Sequence, residues 1–526
     1  MTGPDIRPDN APDTQPATRP PLTPTGIPGL DYVLGGGIRR GSLVMIVGPP
    51  GSGKTTLATQ HAFARAREGA RSIIFTAFSE PSGKLIEHLG TFTFFDHALL
   101  GEQVQVLSLQ AFLERGLAAA GDEIVAAARQ ARAELIVLDG FSSLRTAASS
   151  TPETREFLYA VSGRLAILGL TTMITSEAEP RDTTLYPEAT TADVIIGIYS
   201  SLSGVRQRRG LEVIKARGAS PRSGLHGFAV GEAGVAVYPR LESRVVVNTV
   251  EEADDADDPG ELGPRVEPAR VRFDLPELDT ILGGGLTRDT QTLLLGQIGT
   301  GKTILALHFA LAGVRAGEHV VYFSLRENRR QLLQKATLFG LGEALRAALA
   351  PGGGLTLVRL PSVELDTDLV TTRLLDTLDQ TGARRLVIDS VAELERQVAA
   401  SDERRMSNYA AALVESLRAR GITALLAREI ATADTDPLGS ASNALAILSE
   451  NVIILRRVEH DDRQHRVLAV QKMGFSAFDP SLREFAIVGG SGVQVFTTAE
   501  SASGVLTAIA IADRAINGRP APPPRP

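Results

Sequence analysis

Short apolar runs alternate along this chain with longer stretches of mixed apolar and polar residues, and the alternation is played twice. Ser42 to Val47, Arg71 to Ala77 and Leu135-Ile136-Val137-Leu138-Asp139 in the first half are answered by Thr290 to Leu295, Glu318 to Leu325 and Leu386-Val387-Ile388-Asp389 in the second. Apolar runs without polar alternation suit strands buried on both faces of a parallel sheet. Intervening stretches such as Thr56 to Gly69 read as the helices that parallel strands need for their crossovers. The pattern predicts an α/β fold of two tandem domains, each a mainly parallel twisted sheet flanked by helices. Ligands in such sheets sit at the carboxyl ends of the strands.

The repeat extends to local sequence. Gly26-Ile27-Pro28-Gly29-Leu30-Asp31-Tyr32-Val33-Leu34-Gly35-Gly36-Gly37 is matched by Leu275-Pro276-Glu277-Leu278-Asp279-Thr280-Ile281-Leu282-Gly283-Gly284-Gly285. Leu30 and Leu278 are as far apart as Lys54 and Lys302, so the match is ungapped and marks a duplicated domain. We place the first domain at 23–248 and the second at 268–498. Residues 1–22 carry little to bury and read as a disordered Pro-rich tail; 249–267, with its run of Asp and Glu, reads as an acidic linker; 499–526 reads as a C-terminal helix and Pro-rich tail.

Composition narrows the classes. A chain of 526 residues with 43% hydrophobic and 22% charged residues fits a globular protein, and no run is long and apolar enough to cross a membrane, so a cytoplasmic protein is expected. The absence of cysteine removes disulfides, thiolate metal sites and cysteine nucleophiles. A net charge of −7 argues against a protein that coats duplex DNA. The only compact basic cluster is Arg206-Gln207-Arg208-Arg209, expected as a turn before a strand at Leu211 to Ile214.

The chemistry is carried by two copies of G-x-x-x-x-G-K-[ST]: Gly48-Pro49-Pro50-Gly51-Ser52-Gly53-Lys54-Thr55 and Gly296-Gln297-Ile298-Gly299-Thr300-Gly301-Lys302-Thr303. Each lies between an apolar run and a helical stretch, the context a P-loop requires. Glycines let the backbone approach phosphate oxygens closely, and the following helix turns its positive dipole end toward them. Lys54 and Lys302 are expected on the β- and γ-phosphates of ATP or ADP, and the Thr55 and Thr303 hydroxyls on Mg²⁺. Thr56 and Ile304 complete each loop's nucleotide contacts. Asp139 and Asp389 close apolar strands at comparable distances after the loops, where a carboxylate is costly to bury without a cation nearby, and we assign them to the metal.

Glu80 and Glu327 end the strand after each P-loop helix and are either the general base or surface glutamates. Lys215-Ala216-Arg217-Gly218 follows the Leu211 strand, from which both cations could reach the nucleotide of a neighbouring subunit; the second half has Gln471-Lys472-Met473-Gly474, lysine kept and arginine lost. Unequal catalytic power in the two halves follows. Phe92 and Phe339 stand at matching places and either stack on adenine or pack in the core.

Taken together, the repeated entry segment, both P-loops, both strand-end aspartates, Lys215-Ala216-Arg217-Gly218 and Arg483-Glu484-Phe485 resemble the KaiC family, tandem members of the RecA-like P-loop ATPases, from about Thr25 to Val495. The resemblance implies a homo-hexamer of two stacked rings, nucleotide at subunit interfaces, and protein partners of clock or signalling type. In clock members the first ring hydrolyses ATP and the second phosphorylates an adjacent serine and threonine. This chain departs from the family in three places. Paired glutamates at the strand end become Ser79-Glu80 and Arg326-Glu327; Ala446 and Ile447 occupy the phosphorylated positions, with Ser442 and Ser449 nearby; and Gly474 replaces an arginine. These departures favour hydrolysis in the first domain and retention of nucleotide in the second, with at most weak serine/threonine autokinase activity. The alternative from another class is a DNA-dependent recombinase or helicase of the same superfamily.

Overall fold

The structure is a computed structural model describing residues 22–76, 82–141, 144–145, 148, 150–182, 187–203, 206–245, 269–361, 366–401, 404–430, 444–460 and 463–496. The chain divides into two compact units, Met1–Pro239 and Arg240–Pro526.

In the first unit the strands are β1 (Leu22–Thr23), β2 (Ile38–Arg39), β3 (Leu43–Gly48), β4 (Ser72–Thr76), β5 (Val104–Ser108), β6 (Leu135–Asp139), β7 (Thr171–Glu177), β8 (Val194–Ser203), β9 (Arg206–Ala216), β10 (His226–Gly231) and β11 (Gly234–Tyr238). All but the short β1–β2 pair form one nine-stranded sheet in the order β11-β10-β9-β8-β3-β7-β6-β4-β5. Pairing is parallel from β8 to β5 and antiparallel from β8 to β11.

The second unit repeats this with β12 (Arg270–Val271), β13 (Leu286–Thr287), β14 (Gln291–Gly296), β15 (Val320–Ser324), β16 (Leu355–Arg359), β17 (Arg385–Asp389), β18 (Thr423–Glu429), β19 (Asn451–His460), β20 (Arg463–Lys472), β21 (Arg483–Val488) and β22 (Gly492–Val495). Its nine-stranded order is β16-β15-β17-β18-β14-β19-β20-β21-β22.

Period-two alternation explains how each sheet is held. Val44 and Ile46 of β3 pack into one apolar cluster while Leu43, Met45 and Val47 pack into another on the opposite face. Leu294 and its neighbours Leu293 and Leu295 divide in the same way on β14. Both faces are covered by helices, so the central strands tolerate no polar alternation. The P-loop helices, Lys54–Arg67 and Lys302–Arg315, lie against these central strands; the first begins two residues before the expected Thr56, because the lysine and threonine of the motif already belong to the first turn.

Three expectations need correcting. Leu22, assigned to the N-terminal tail, pairs with Arg39. The division between units falls before residue 240 rather than after 248, and Leu241 is fully buried in the second unit's core. The Arg206–Arg209 segment is not a turn but the start of β9, with Gln207, Arg208 and Arg209 facing Leu202, Ser201 and Ser200 across an antiparallel ladder. A projecting hairpin satisfies its backbone by that ladder and can leave charged side chains in solvent, so charge alone was a poor guide. The proposed acidic linker at 249–267, the C-terminal helix and both Pro-rich tails lie outside the described residues, Leu22 apart.

Candidate nucleotide sites

Each P-loop joins the carboxyl end of a central strand to a helix. The helix caps, Gly53 at φ 106° and Gly301 at φ 108°, are left-handed and make no side-chain cap, which leaves the first-turn N–H groups directed out of the helix for a ligand. A Cβ on Gly301 would lie 2.3 Å from Ile487 Cδ1, so glycine is required by space as well as by φ.

Lys54 Nζ donates to Gly48 O at 3.0 Å and Pro49 O at 2.9 Å, and Lys302 Nζ donates to Gly296 O at 2.7 Å and Gln297 O at 2.8 Å. Burial lowers the pKa of both lysines, opposed by Glu177 and Asp139 at the first and by Glu429 and Asp389 at the second. These are partly desolvated cations leaning on loop carbonyls, a poor substitute for an anion. Ser52 Oγ is fully buried with no hydrogen-bond partner, whereas Thr300 Oγ1 donates to Gln297 O at 2.8 Å.

The strand-end acids meet the P-loop threonines. Thr55 Oγ1 donates to Asp139 Oδ1 at 2.9 Å, and Thr303 Oγ1 to Asp389 Oδ2 at 2.8 Å. Each acid has one further hydroxyl donor, and the two repeats recruit it from opposite sides. Asp139 receives Thr175 Oγ1 of β7 at 2.7 Å; Asp389 receives Tyr322 Oη of β15 at 3.0 Å. The register accounts for this exchange. Thr175 pairs with Ile46 and Ala427 with Leu294, so the second repeat has a methyl where the first has a hydroxyl. Conversely Ile74 faces Val137 and Tyr322 faces Val387, two residues before each aspartate. Burial raises the Asp139 pKa against the pull of both hydroxyls; burial first, then Asp389, pushes the Tyr322 phenol well up, so it stays a donor.

A hydroxyl and a carboxylate are hard oxygen donors of the kind Mg²⁺ takes, usually with phosphate oxygens and water completing the shell. No cluster of three His, Cys, Asp or Glu converges among the described residues, so a cation here would depend on the nucleotide for the rest of its ligands. The residues fit the group.

Glu80 lies outside the described residues. Glu327 pairs with Lys335, and its N–H donates to Ser324 Oγ at 3.1 Å; the following helix is capped instead by Asn328, which accepts from Gln331 N at 2.9 Å. Beside it Arg326 bonds Glu393 Oε1 at 2.9 Å and also Glu429. Lys215 and Arg217 turn to their own chain: Lys215 Nζ donates to Ala189 O at 3.1 Å and Thr190 O at 3.2 Å, and Arg217 Nη2 to Thr190 O at 3.3 Å. Lys472 Nζ likewise donates to Ile447 O at 3.1 Å and Ser449 O at 2.7 Å. Both lysines follow a β-bulge at the same place, facing Ile195 and Val452, and Lys215 and Ala216 end β9 rather than follow it.

Phe92 stacks on Phe94 with centroids 5.3 Å apart, and Phe339 packs against the second unit's core. Met473 packs partly buried against that same core. Ile447 is 76% exposed, Ala446 is buried, and Ser449 is fully buried with its hydroxyl unpartnered; Ser442 lies outside the described residues.

Sequence reasoning missed Thr175, Tyr322, Glu177 and Glu429. The glutamates had a usable signal: both repeats end the strand beside the P-loop strand in Glu, and Gly48 faces Glu177 as Gly296 faces Glu429.

The family model for the KaiC ATPase matches residues 23–242 and 271–500. The circadian clock protein KaiC3 of Synechocystis sp. is 27% identical over 486 residues, covering 88% of this chain and 89% of that protein. The circadian clock oscillator protein KaiC of Picosynechococcus sp. is 26% identical over 490 residues, 89% of each. That of Parasynechococcus marenigrum is 26% identical over 491 residues, 90% of each. These matches do not favour the recombinase or helicase alternative. No helix among the described residues is long and apolar enough to cross a membrane.

Proposed function

The chain belongs to the KaiC ATPase family, and from that premise we propose an ATP-dependent homo-hexamer of two stacked rings that acts as a regulatory scaffold, with hydrolysis mainly in the first domain and nucleotide held in the second. The observation that carries the asymmetry is the pairing of Arg326 with Glu393 and Glu429, beside the pairing of Glu327 with Lys335. In the second unit these acids around the strand end are bound to cations. A carboxylate engaged in an ion pair must release its cation before that oxygen can orient a water.

In hydrolysis a water oxygen attacks the γ-phosphorus, the bond from that phosphorus to the β–γ bridging oxygen breaks, ADP leaves, and the water's proton passes to a base. Lys54 binds the phosphate oxygens, the glycines of its loop bring backbone N–H groups to them, and Asp139 is held in place by Thr55 and Thr175. Glu80 is the residue we assign to receive the proton. Mg²⁺, when bound, screens charge on the phosphates and would be held by Thr55 with Asp139, or Thr303 with Asp389. Lys215 and Arg217 are proposed to leave the Ala189 and Thr190 carbonyls and act on the neighbouring subunit's nucleotide. A clock or signalling role comes from the names of the relatives. Autokinase activity gains no support from Ser449, whose hydroxyl is buried.

Phosphate release from labelled ATP by the parent, Lys54→Ala and Lys302→Ala tests this reading, with mass measurement in the presence and absence of ATP. Most of the turnover should be lost in Lys54→Ala and little in Lys302→Ala; equal losses overturn the asymmetry, and a monomer in ATP overturns the ring.

A further inference from the structure

One cation beside the second P-loop has no counterpart in the first unit. Arg457, on β19, lies across the loop itself: a Cβ added to Gly299 would fall 2.1 Å from its Nη2. Strand β19 runs parallel to β14, the strand that enters the loop, which is what brings this side chain there. Directly opposite Arg457 in the β19–β20 ladder is Arg466. Like charges facing one another across a strand pair are destabilising unless an anion lies within reach. Among the described residues neither arginine has a carboxylate partner, and Arg466 Nε is buried without any partner. Burial first and then Arg457 lower the Arg466 pKa; at Lys302 burial leads, Glu429 and Asp389 pull the other way, and Arg326 and Arg457 add smaller lowerings.

The first unit lacks the device. Its ladder places Ser200 opposite Arg209, and a Cβ on Gly51 would meet nothing within 4 Å among the described residues. Among the described residues nothing covers the first loop where a guanidinium covers the second. The same second unit has Gly474 at the position of Arg217.

We propose that Arg457 is a phosphate-binding residue of the second site, supplied by the same chain, and that it makes this site prefer nucleoside triphosphate over diphosphate. Its planar fork takes two oxygens of a terminal phosphate, and the anion relieves the repulsion from Arg466. Retention in the second domain then needs no arginine from a neighbouring subunit. The proposal rests on the reading of the second P-loop as a nucleotide site.

The test uses the full chain carrying Lys54→Ala, so that the second site reports, with fluorescent N-methylanthraniloyl ATP and ADP as probes. Arg457→Ser, which installs the first unit's residue, should weaken ATP binding ~10- to 100-fold and ADP binding at most a few-fold. Arg457→Lys, a point charge without the fork, should fall between. Arg457→Gln, measured in the same way, replaces the serine variant if that one misfolds. Unchanged ATP affinity, or equal losses for ATP and ADP, overturns the proposal. Adding Lys302→Ala to the parent background separates the two levels: binding that survives it shows that the second P-loop is not the site, whereas binding abolished by Lys302→Ala but untouched by Arg457→Ser sinks the arginine alone.

Discussion

Removing the Thr175 hydroxyl tests whether the support behind the strand-end aspartate matters to chemistry. Asp139 is 9% exposed and accepts from two hydroxyls, Thr55 at 2.9 Å and Thr175 at 2.7 Å. Thr175→Val keeps the volume and deletes one donor to a charged acceptor, a loss of ~1.5–3 kcal/mol. Partners in this outer position typically contribute 10- to 100-fold to metal affinity or activity. Thr175 Oγ1 also accepts from Gly140 N at 2.8 Å, so the valine variant leaves that N–H unpaired and should melt earlier as well. Thr175→Ser preserves both bonds. Phosphate release is measured against Mg²⁺ concentration in a Lys302→Ala background. The valine variant should need ~10- to 100-fold more Mg²⁺ for half-maximal rate, and the serine variant about as much as the parent. A Mg²⁺ midpoint that stays put in the valine variant while its melting temperature falls would assign Thr175 a purely structural role and refute the reasoning.

The two remaining predictions concern the second unit's stability. His308 stands where the first repeat has Gln60; its Nε2 accepts from Val493 N at 3.2 Å, and burial draws its pKa from 6.5 to about 4. A folded-state value below the unfolded one means stability present above about pH 6.5 and lost as pH falls toward 4, about 3 kcal/mol at 1.36 kcal/mol per unit; His308→Gln should flatten the urea midpoint across that window, and an unaltered pH dependence rejects this. Arg405 bonds Glu242 at 2.6 Å and 2.9 Å and Asp368 at 3.3 Å, all largely buried, so Arg405→Met strands two carboxylates and should cost ~3–5 kcal/mol in urea unfolding, against no change if the network is dispensable.

The sequence made the sheet centres and both phosphate cradles legible for one physical reason: strands buried on two faces must be apolar, and a backbone wrapped round phosphate must be glycine-rich. Asp139 and Asp389 stood out because a carboxylate ending such a strand is anomalous. Their supporting hydroxyls did not, since Thr175 is 36 residues from Asp139 and Tyr322 is 67 from Asp389, and only strand order brings each pair together. A threonine in β7 or a tyrosine in β15 reads as ordinary strand composition. Arg457 was invisible for the same reason, because its meeting with Gly299 depends on β19 lying beside β14. The Arg206–Arg209 error ran the other way: local charge was read as a turn where the ladder sets the conformation.

The asymmetry proposed for the two sites has its physical basis in such long-range contacts. The cradle is made of backbone and glycine, so it survives as long as the strand, loop and helix survive, and both copies retain it with nearly equal cap angles. Turnover depends on a few side chains from separate elements, and each can be exchanged without disturbing the fold. In the second copy the exchanges add acids as well as cations, Glu393 and Glu395 standing where the first has Ser143 and Arg145. Arg326 takes up Glu393 and Glu429, Arg428 takes up Glu395 at 2.6 Å, Lys335 takes up Glu327, and Arg457 lies over the loop. A cation lying over the loop strengthens the hold on a polyanion. The proposed retention of nucleotide in the second domain therefore rests on the guanidinium over its loop and on Gly474 standing where the first unit has Arg217.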